Sequence, residues 1–98
     1  MATVIVWEFA AAPGRAAAFE AAYGPSGAWA KLFARSPDYL GTELLGSEGR
    51  YLTLDRWAGP GAFEAFKAAH GEDYAALDRA CEALTAGESR LGVFETVD

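Results

Sequence analysis

The run Thr3-Val4-Ile5-Val6-Trp7-Glu8-Phe9 is β-branched and aromatic and predicts a first strand. Pro13-Gly14 turns the chain, and Arg15 to Tyr23 predicts a helix whose apolar Phe19 and Tyr23 stand four apart, with Gly24 as its stop. Pro25 opens a second short helix with Trp29, Leu32 and Phe33 on one stripe, closed by Ser36-Pro37. Tyr39 to Leu45 and Arg50 to Trp57 read as strands joined by a hairpin turn at Ser47-Glu48-Gly49. Gly59-Pro60-Gly61 breaks the chain before a helix with Phe63, Phe66 and His70 on one face. Beyond Gly71 a further helix carries Tyr74, Leu77, Cys81 and Leu84 on its stripe, and Ser89 to Val97 predicts the last strand.

The predicted order is β, α(α), β, β, α(α), β. Sliding the sequence by 47 positions pairs Pro13-Gly14 with Pro60-Gly61, Phe19 with Phe66, and Gly24 with Gly71. Two such halves give an α+β fold of the ferredoxin-like split βαβ kind. It consists of a four-stranded antiparallel sheet with helices on one face, in one domain spanning residues 1–98.

Alternation splits each strand into two rows: Val4, Val6, Glu8 against Ile5, Trp7, Phe9, and Leu52, Leu54, Arg56 against Tyr51, Thr53, Asp55, Trp57. The last strand divides into Leu91, Val93, Glu95 and Gly92, Phe94, Thr96. Neither row is mainly polar, whereas a sheet covered on one side alternates apolar with polar. Helices cover one face, so a second copy is expected over the other, giving a homodimer. With the first and third strands side by side and parallel, Glu8 and Arg56 become neighbours. They form either a register-fixing pair inside the sheet-to-sheet interface or two rim charges in solvent.

The opposite row gathers Trp7, Phe9, Tyr51, Asp55 and Trp57 toward one end of the sheet. Beneath the helices it meets Phe19, Tyr23, Trp29, Phe63, Phe66 and His70. Two readings stay open: rings that simply form the core, or walls of a pocket for a flat, mostly apolar small molecule oriented by Tyr23, Thr53, Asp55 and His70. His70, the only histidine, is either a general base or a cap at its helix C-terminus. Asp55 among aromatics is a carboxylate suited to taking a phenolic proton, or a partner for Arg50. Cys81 reads as packing.

A length of 98 residues with 52% hydrophobic content supports one packed domain and leaves no chain for a second. The formal charge of −6 excludes the basic face that nucleic acid requires. No apolar run approaches the ~20 residues of a membrane span, and the N-terminus lacks signal-peptide design, so a cytoplasmic protein is expected. One cysteine leaves no internal disulfide, and one histidine leaves no multi-histidine metal site. With no Gly-rich phosphate loop after a strand and no nucleophile elbow, no nucleotide cofactor is expected, and a metal held by His70 with Asp55 or Glu43 has no ligand spacing to support it, so neither a metal nor an organic cofactor is expected.

The strand Val4-Ile5-Val6-Trp7-Glu8-Phe9 before Pro13-Gly14, and the stretch Tyr51 to Trp57 leading into Phe63 to His70, resemble the antibiotic biosynthesis monooxygenase-like family of dimeric α+β barrels. The likeness covers nearly the whole chain. It implies a homodimer whose two sheets form a barrel, with a ligand cavity between sheet and helices in each protomer. Family activities include cofactor-free oxygenation of polycyclic aromatic phenols, haem degradation and isomerisation of quorum-signal breakdown products. Trp57 matches the tryptophan of the oxygenases. Their asparagine four residues earlier is Thr53 here, and the phenolic side chain early in the next helix is Phe63. Where haem-degrading members place their iron-ligating histidine, this chain has Lys67. The resemblance implies an oxygenase in which Trp57 and Trp7 stack an aromatic or polyketide-like substrate while His70 or Asp55 takes its proton. The alternative is a non-catalytic ligand-binding or accessory barrel.

Overall fold

The computed structural model describes residues 1–97. Strand β1 (Thr3–Ala11) leads into helices α1 (Ala16–Tyr23) and α2 (Ala28–Phe33), then strands β2 (Tyr39–Ser47) and β3 (Arg50–Trp57). Helices α3 (Ala62–Ala69) and α4 (Gly71–Cys81) follow, then a single 3-10 turn at Glu82–Leu84 and strand β4 (Thr85–Glu95). Among the described residues the sheet has four strands in the order β2-β3-β1-β4, each neighbouring pair antiparallel. The expected α+β ferredoxin-like fold is present.

Turn chemistry places the elements. Gly14 and Gly61, the repeat-related glycines, both adopt positive φ (75° and 83°), as the sharp turns into the two helical halves require. The β2–β3 hairpin closes through Glu48 and Gly49, both with positive φ, the geometry whose twist matches that of paired strands. Strand β4 starts four residues before Ser89. The α4 stripe stops at Cys81, and Leu84 lies in the 3-10 turn, where its carbonyl accepts the Ala12 N–H.

Two expectations are corrected. Strands β1 and β3 are antiparallel, because the crossover through α1 and α2 makes β1 and β2 parallel while β3 returns from β2 by a tight hairpin. Arg56 therefore pairs with Val4 and Glu8 with Leu52 at opposite ends of the shared ladder, and the Glu8 carboxylate bonds Arg50 instead. For the same reason Trp57 does not join Trp7 and Phe9 at one end. It faces Thr3, while Trp7 faces Thr53 and Phe9 faces Tyr51.

The row Ile5, Phe9, Tyr51 and Trp57 is buried beneath Phe19, Phe33, Phe63 and Phe66 of the helices. The other face carries an apolar band crossing all four strands, from Leu45 through Leu52, Leu54 and Val6 to Val4 and Phe94. Leu45 is 45% and Phe94 54% exposed in the single chain.

The tightest backbone approach is between α1 and α2. A Cβ on buried Gly27 would stand 2.4 Å from the carbonyl oxygens of both Ala21 and Ala22. Replacing Gly27 by alanine is predicted to destabilise the fold by about 3 kcal/mol. Gly59→Ala, where a Cβ meets open space, is predicted to change stability by less than about 0.5 kcal/mol. Urea denaturation of the two variants checks the contrast.

Candidate functional site

A cleft opens between the helix-facing side of the sheet and α2, α3 and α4. Trp7 and Phe9 of β1, Tyr23 of α1, Trp29 and Phe33 of α2 and Phe63 of α3 form its aromatic walls. Thr42 of β2 with Thr53 and Asp55 of β3 supplies a polar floor. At the mouth stand Tyr74 and Asp78 on α4 and Glu88 on β4. The free volume is about 40 Å³, several times what one water needs but short of the ~300 Å³ of the smaller drug-sized sites. A polycyclic guest therefore requires the half-buried rings at the mouth, Trp7 and Tyr74, to turn aside.

The floor follows from strand register. Thr42 lies opposite Asp55 across β2–β3, and Ile5 lies opposite it across β1–β3, so the carboxylate sits mid-sheet on the helix side. Thr42 Oγ1 donates to Asp55 Oδ1 at 2.7 Å, and the Tyr39 hydroxyl lies 2.6 Å from Thr42 Oγ1. Thr42 has one proton and spends it on Asp55, so Tyr39 is the donor to Thr42 and the three form a directed chain. Among the described residues no hydrogen bond reaches Oδ2.

Asp55 is only 8% exposed. Burial pushes its carboxyl up to about 6, with the Thr42 hydrogen bond working in the opposite direction. Burial likewise raises the Tyr23 hydroxyl beyond the usual phenol range, assisted by Cys81 and the carboxylates of Glu88 and Asp78. Tyr74 is pushed up to about 12, first by burial, then by Asp78, Glu88 and Asp55, against a smaller opposing effect of Arg90. Glu88 is raised by burial and by neighbouring Asp78. Both tyrosines thus stay protonated as hydrogen-bond donors at neutral pH.

Of the residues singled out from the sequence, Trp7, Phe9, Tyr23, Trp29, Thr53, Asp55 and Phe63 line this cleft. Four do not. Trp57 is fully buried among Phe33, Tyr39, Phe63 and Phe66 at the far end of the sheet. Phe66 packs between Phe33, Trp57 and His70. Tyr51 packs on Phe19 and donates its hydroxyl to Glu20 Oε2 at 2.5 Å. His70 occupies the α3–α4 junction, its ring 5.0 Å from that of Phe66, with no side-chain cap hydrogen bond. It faces a separate surface hollow formed by residues 68–73. α3 follows the end of β3 that carries Trp57, and His70 at its far end lines that hollow while Asp55 lines the cleft.

Sequence reasoning missed Phe33, Thr42, Tyr74, Asp78 and Glu88. Phe33, Tyr74 and Asp78 were accessible, since Phe33 and Tyr74 lie on recognised stripes and Asp78 is one turn beyond Tyr74. Thr42 required the register. Glu88 was hidden by a β-bulge: Gly92 pairs with Val6 but Arg90 with Trp7, so Leu91 is an extra residue that swings Glu88 and Arg90 to the helix side. Among the described residues no cluster of metal-ligating side chains occurs. No helix is long and apolar enough to cross a membrane.

No protein-family model and no curated protein sequence matches the chain. Solved structures do. SnoaB, a cofactor-independent oxygenase from Streptomyces nogalater, matches with a TM-score of 0.77 and 25% identity over 99% of this chain and 94% of that one. Rv0793 from Mycobacterium tuberculosis gives a TM-score of 0.69 at 18% identity, covering 100% of this chain and 97% of that chain. A Chloroflexus aurantiacus protein provisionally named an antibiotic biosynthesis monooxygenase gives 0.62 at 18% identity, covering 100% and 93%.

Asp55 couples the cleft to stability. The native state keeps its proton up to about pH 6, whereas the unfolded chain releases it near the ordinary value of 3.8. Between those values the native state binds more protons, so stability from this group is fully present below about pH 4 and is lost as pH rises through 6. The loss is roughly 2–3 kcal/mol. Asp55→Asn is therefore predicted to be more stable than the parent by about 2 kcal/mol at pH 7.5, with the gap closing below pH 4. Paired denaturant titrations at the two pH values read the difference; an equal gap at both would count against it.

Proposed function

We infer that this chain, antibiotic biosynthesis monooxygenase-like in its structure, is a small oxygenase that works without a bound organic cofactor on an aromatic or polyketide-like molecule. The observation carrying this reading is Asp55: a carboxylate buried under rings, one oxygen held by Thr42 and the other without a hydrogen-bond partner, at the floor of an aromatic cleft. Its pKa of about 6 lets it be ionised at neutral pH yet basic enough to take a proton from an acidified substrate.

The substrate ring lies between the cleft's aromatic walls, with Trp7 stacking on it and Trp29 and Phe63 fixing its plane. Asp55 removes a proton from an activated ring methylene whose charge is delocalised through a phenol. The carbanion donates electrons to dioxygen and forms a C–O bond, giving a peroxide anion. Asp55 returns the proton, and the hydroperoxide loses water to leave a carbonyl. One oxygen atom is retained, the other leaves as water, and no external reductant is consumed. The protein contributes position, desolvation and one shuttled proton.

The residues assigned to this work are Asp55 as base, Trp7, Phe9, Tyr23, Trp29, Thr53 and Phe63 as binding groups, and Trp57, Tyr51 and Phe66 as the packed layer supporting them. Oxygen uptake with anthrone- and naphthol-like phenols tests the assignment. Asp55→Asn is predicted to lower the rate by about 10²–10⁴-fold, whereas His70→Ala, remote from the cleft, is predicted to retain it. The reverse pattern transfers the role of base to His70. Thr53 and Phe63, where oxygenase members carry an asparagine and a phenol, favour a second reading, a binding or accessory barrel. Tryptophan quenching by the same phenols without oxygen uptake supports that reading.

The active form is proposed to be a homodimer joined through the apolar outer face of the sheet. Support comes from the apolar band running from Leu45 to Phe94, exposed at those two ends and half-buried at Val6, Leu52 and Leu54, which no helix covers among the described residues. Light scattering at micromolar concentration is predicted to return twice the 10.4 kDa chain mass. A cooperatively melting species at the single-chain mass overturns the dimer.

A further inference from the structure

The cleft has a charge pattern that oxygenase chemistry alone does not require. Its three lining carboxyl groups are Asp55 at the floor and Asp78 and Glu88 at the mouth, and no lysine, arginine or histidine lines it among the described residues. Two cations border its rim without lining it: Arg90 lies over the Trp7 ring at 5.8 Å and within 3.9 Å of Glu64, and Lys67 lies over Tyr74 at 4.8 Å. Asp78 and Glu88 form no salt bridge among the described residues. Both are exposed, come from α4 and β4, and line the same cleft as the half-buried rings of Trp7 and Tyr74. Two carboxylates without a salt-bridge partner at the rim of an aromatic cleft make a receptor for an ammonium group through the Coulomb interaction. A carboxylate or phosphate entering the same opening meets the like charge of Asp78 and Glu88.

We propose that the cleft selects aromatic small molecules bearing a basic amine, with the ring system against Asp55 and the ammonium group between Asp78 and Glu88. The proposal rests on the cleft being the ligand site, as inferred above, and names the substrate class that site accepts. The polar selectivity lies at the mouth, on solvent-reaching side chains, while Asp55 and the ring contacts lie deeper. Substituting the mouth residues therefore alters preference without disturbing the core.

The test uses three naphthols that share one ring system and carry an aminomethyl, hydroxymethyl or carboxymethyl arm, with binding measured by tryptophan quenching and calorimetry on the intact protein. The aminomethyl compound is expected to bind roughly tenfold more tightly than the hydroxymethyl compound, and the carboxymethyl compound roughly tenfold more weakly. The double variant Asp78→Asn/Glu88→Gln is expected to compress all three to similar affinities, and high salt to do the same in the parent protein. Binding of all three with equal strength, or a preference that survives in the double variant, overturns the charge selectivity and leaves the ligand site standing. No binding by any of the three overturns the site reading and this inference together.

Discussion

The register in which β3 lies between β1 and β2 is the constraint from which the cleft follows. It sets Ile5, Asp55 and Thr42 side by side across three strands, on the face that the helices cover. A shift of one residue would send Asp55 to the outer face and bring Leu54 inward, because side chains alternate strictly along a strand. The two-residue hairpin turn at Glu48 and Gly49 fixes the β2–β3 half of that register, and the aromatic pairing of Phe9 with Tyr51 and Tyr39 with Trp57 fills both ends of the face.

Within that frame the helices bring mainly aromatic rings over Asp55 and, among the described residues, no hydrogen-bond partner for it. Thr42, held by Tyr39, is the one side chain among the described residues that hydrogen-bonds it. Full hydrogen bonding would lower the proton affinity of the carboxylate and make it an inert anion; complete isolation would leave it protonated at neutral pH. One bond plus burial holds it between those limits. The same arrangement is unfavourable for folding above pH 6, because the native state then holds a buried carboxylate charge that the unfolded chain leaves in water.

Much of this was legible in the sequence because the signals were local. Pro-Gly pairs, stripe residues at three and four spacing, and β-branched runs placed the elements, and the absence of a polar row on either side of the sheet exposed the apolar outer band. Strand direction was misread, and the error propagated. It joined Glu8 to Arg56 and brought Trp57 and His70 toward Trp7, whereas a hairpin-linked β3 must run against both neighbours. Asp55 was identified as a candidate from its neighbours along the strand, but Thr42, thirteen residues away in sequence, becomes its partner only through pairing. Glu88 lies past an irregularity that no alternation pattern registers.

That irregularity at Leu91 has a consequence for how clefts on this scaffold diversify. The bulge at Leu91 decides which side of the sheet receives Glu88 and Arg90: were Leu91 paired regularly with Trp7, both would face outward, whereas deleting Leu91 would close the bulge and leave them on the helix side. Substitution adjusts such a lining one group at a time, whereas a one-residue change of pairing in an edge strand rotates a whole segment. Relatives with nearly superimposable backbones can therefore present openings of different polarity.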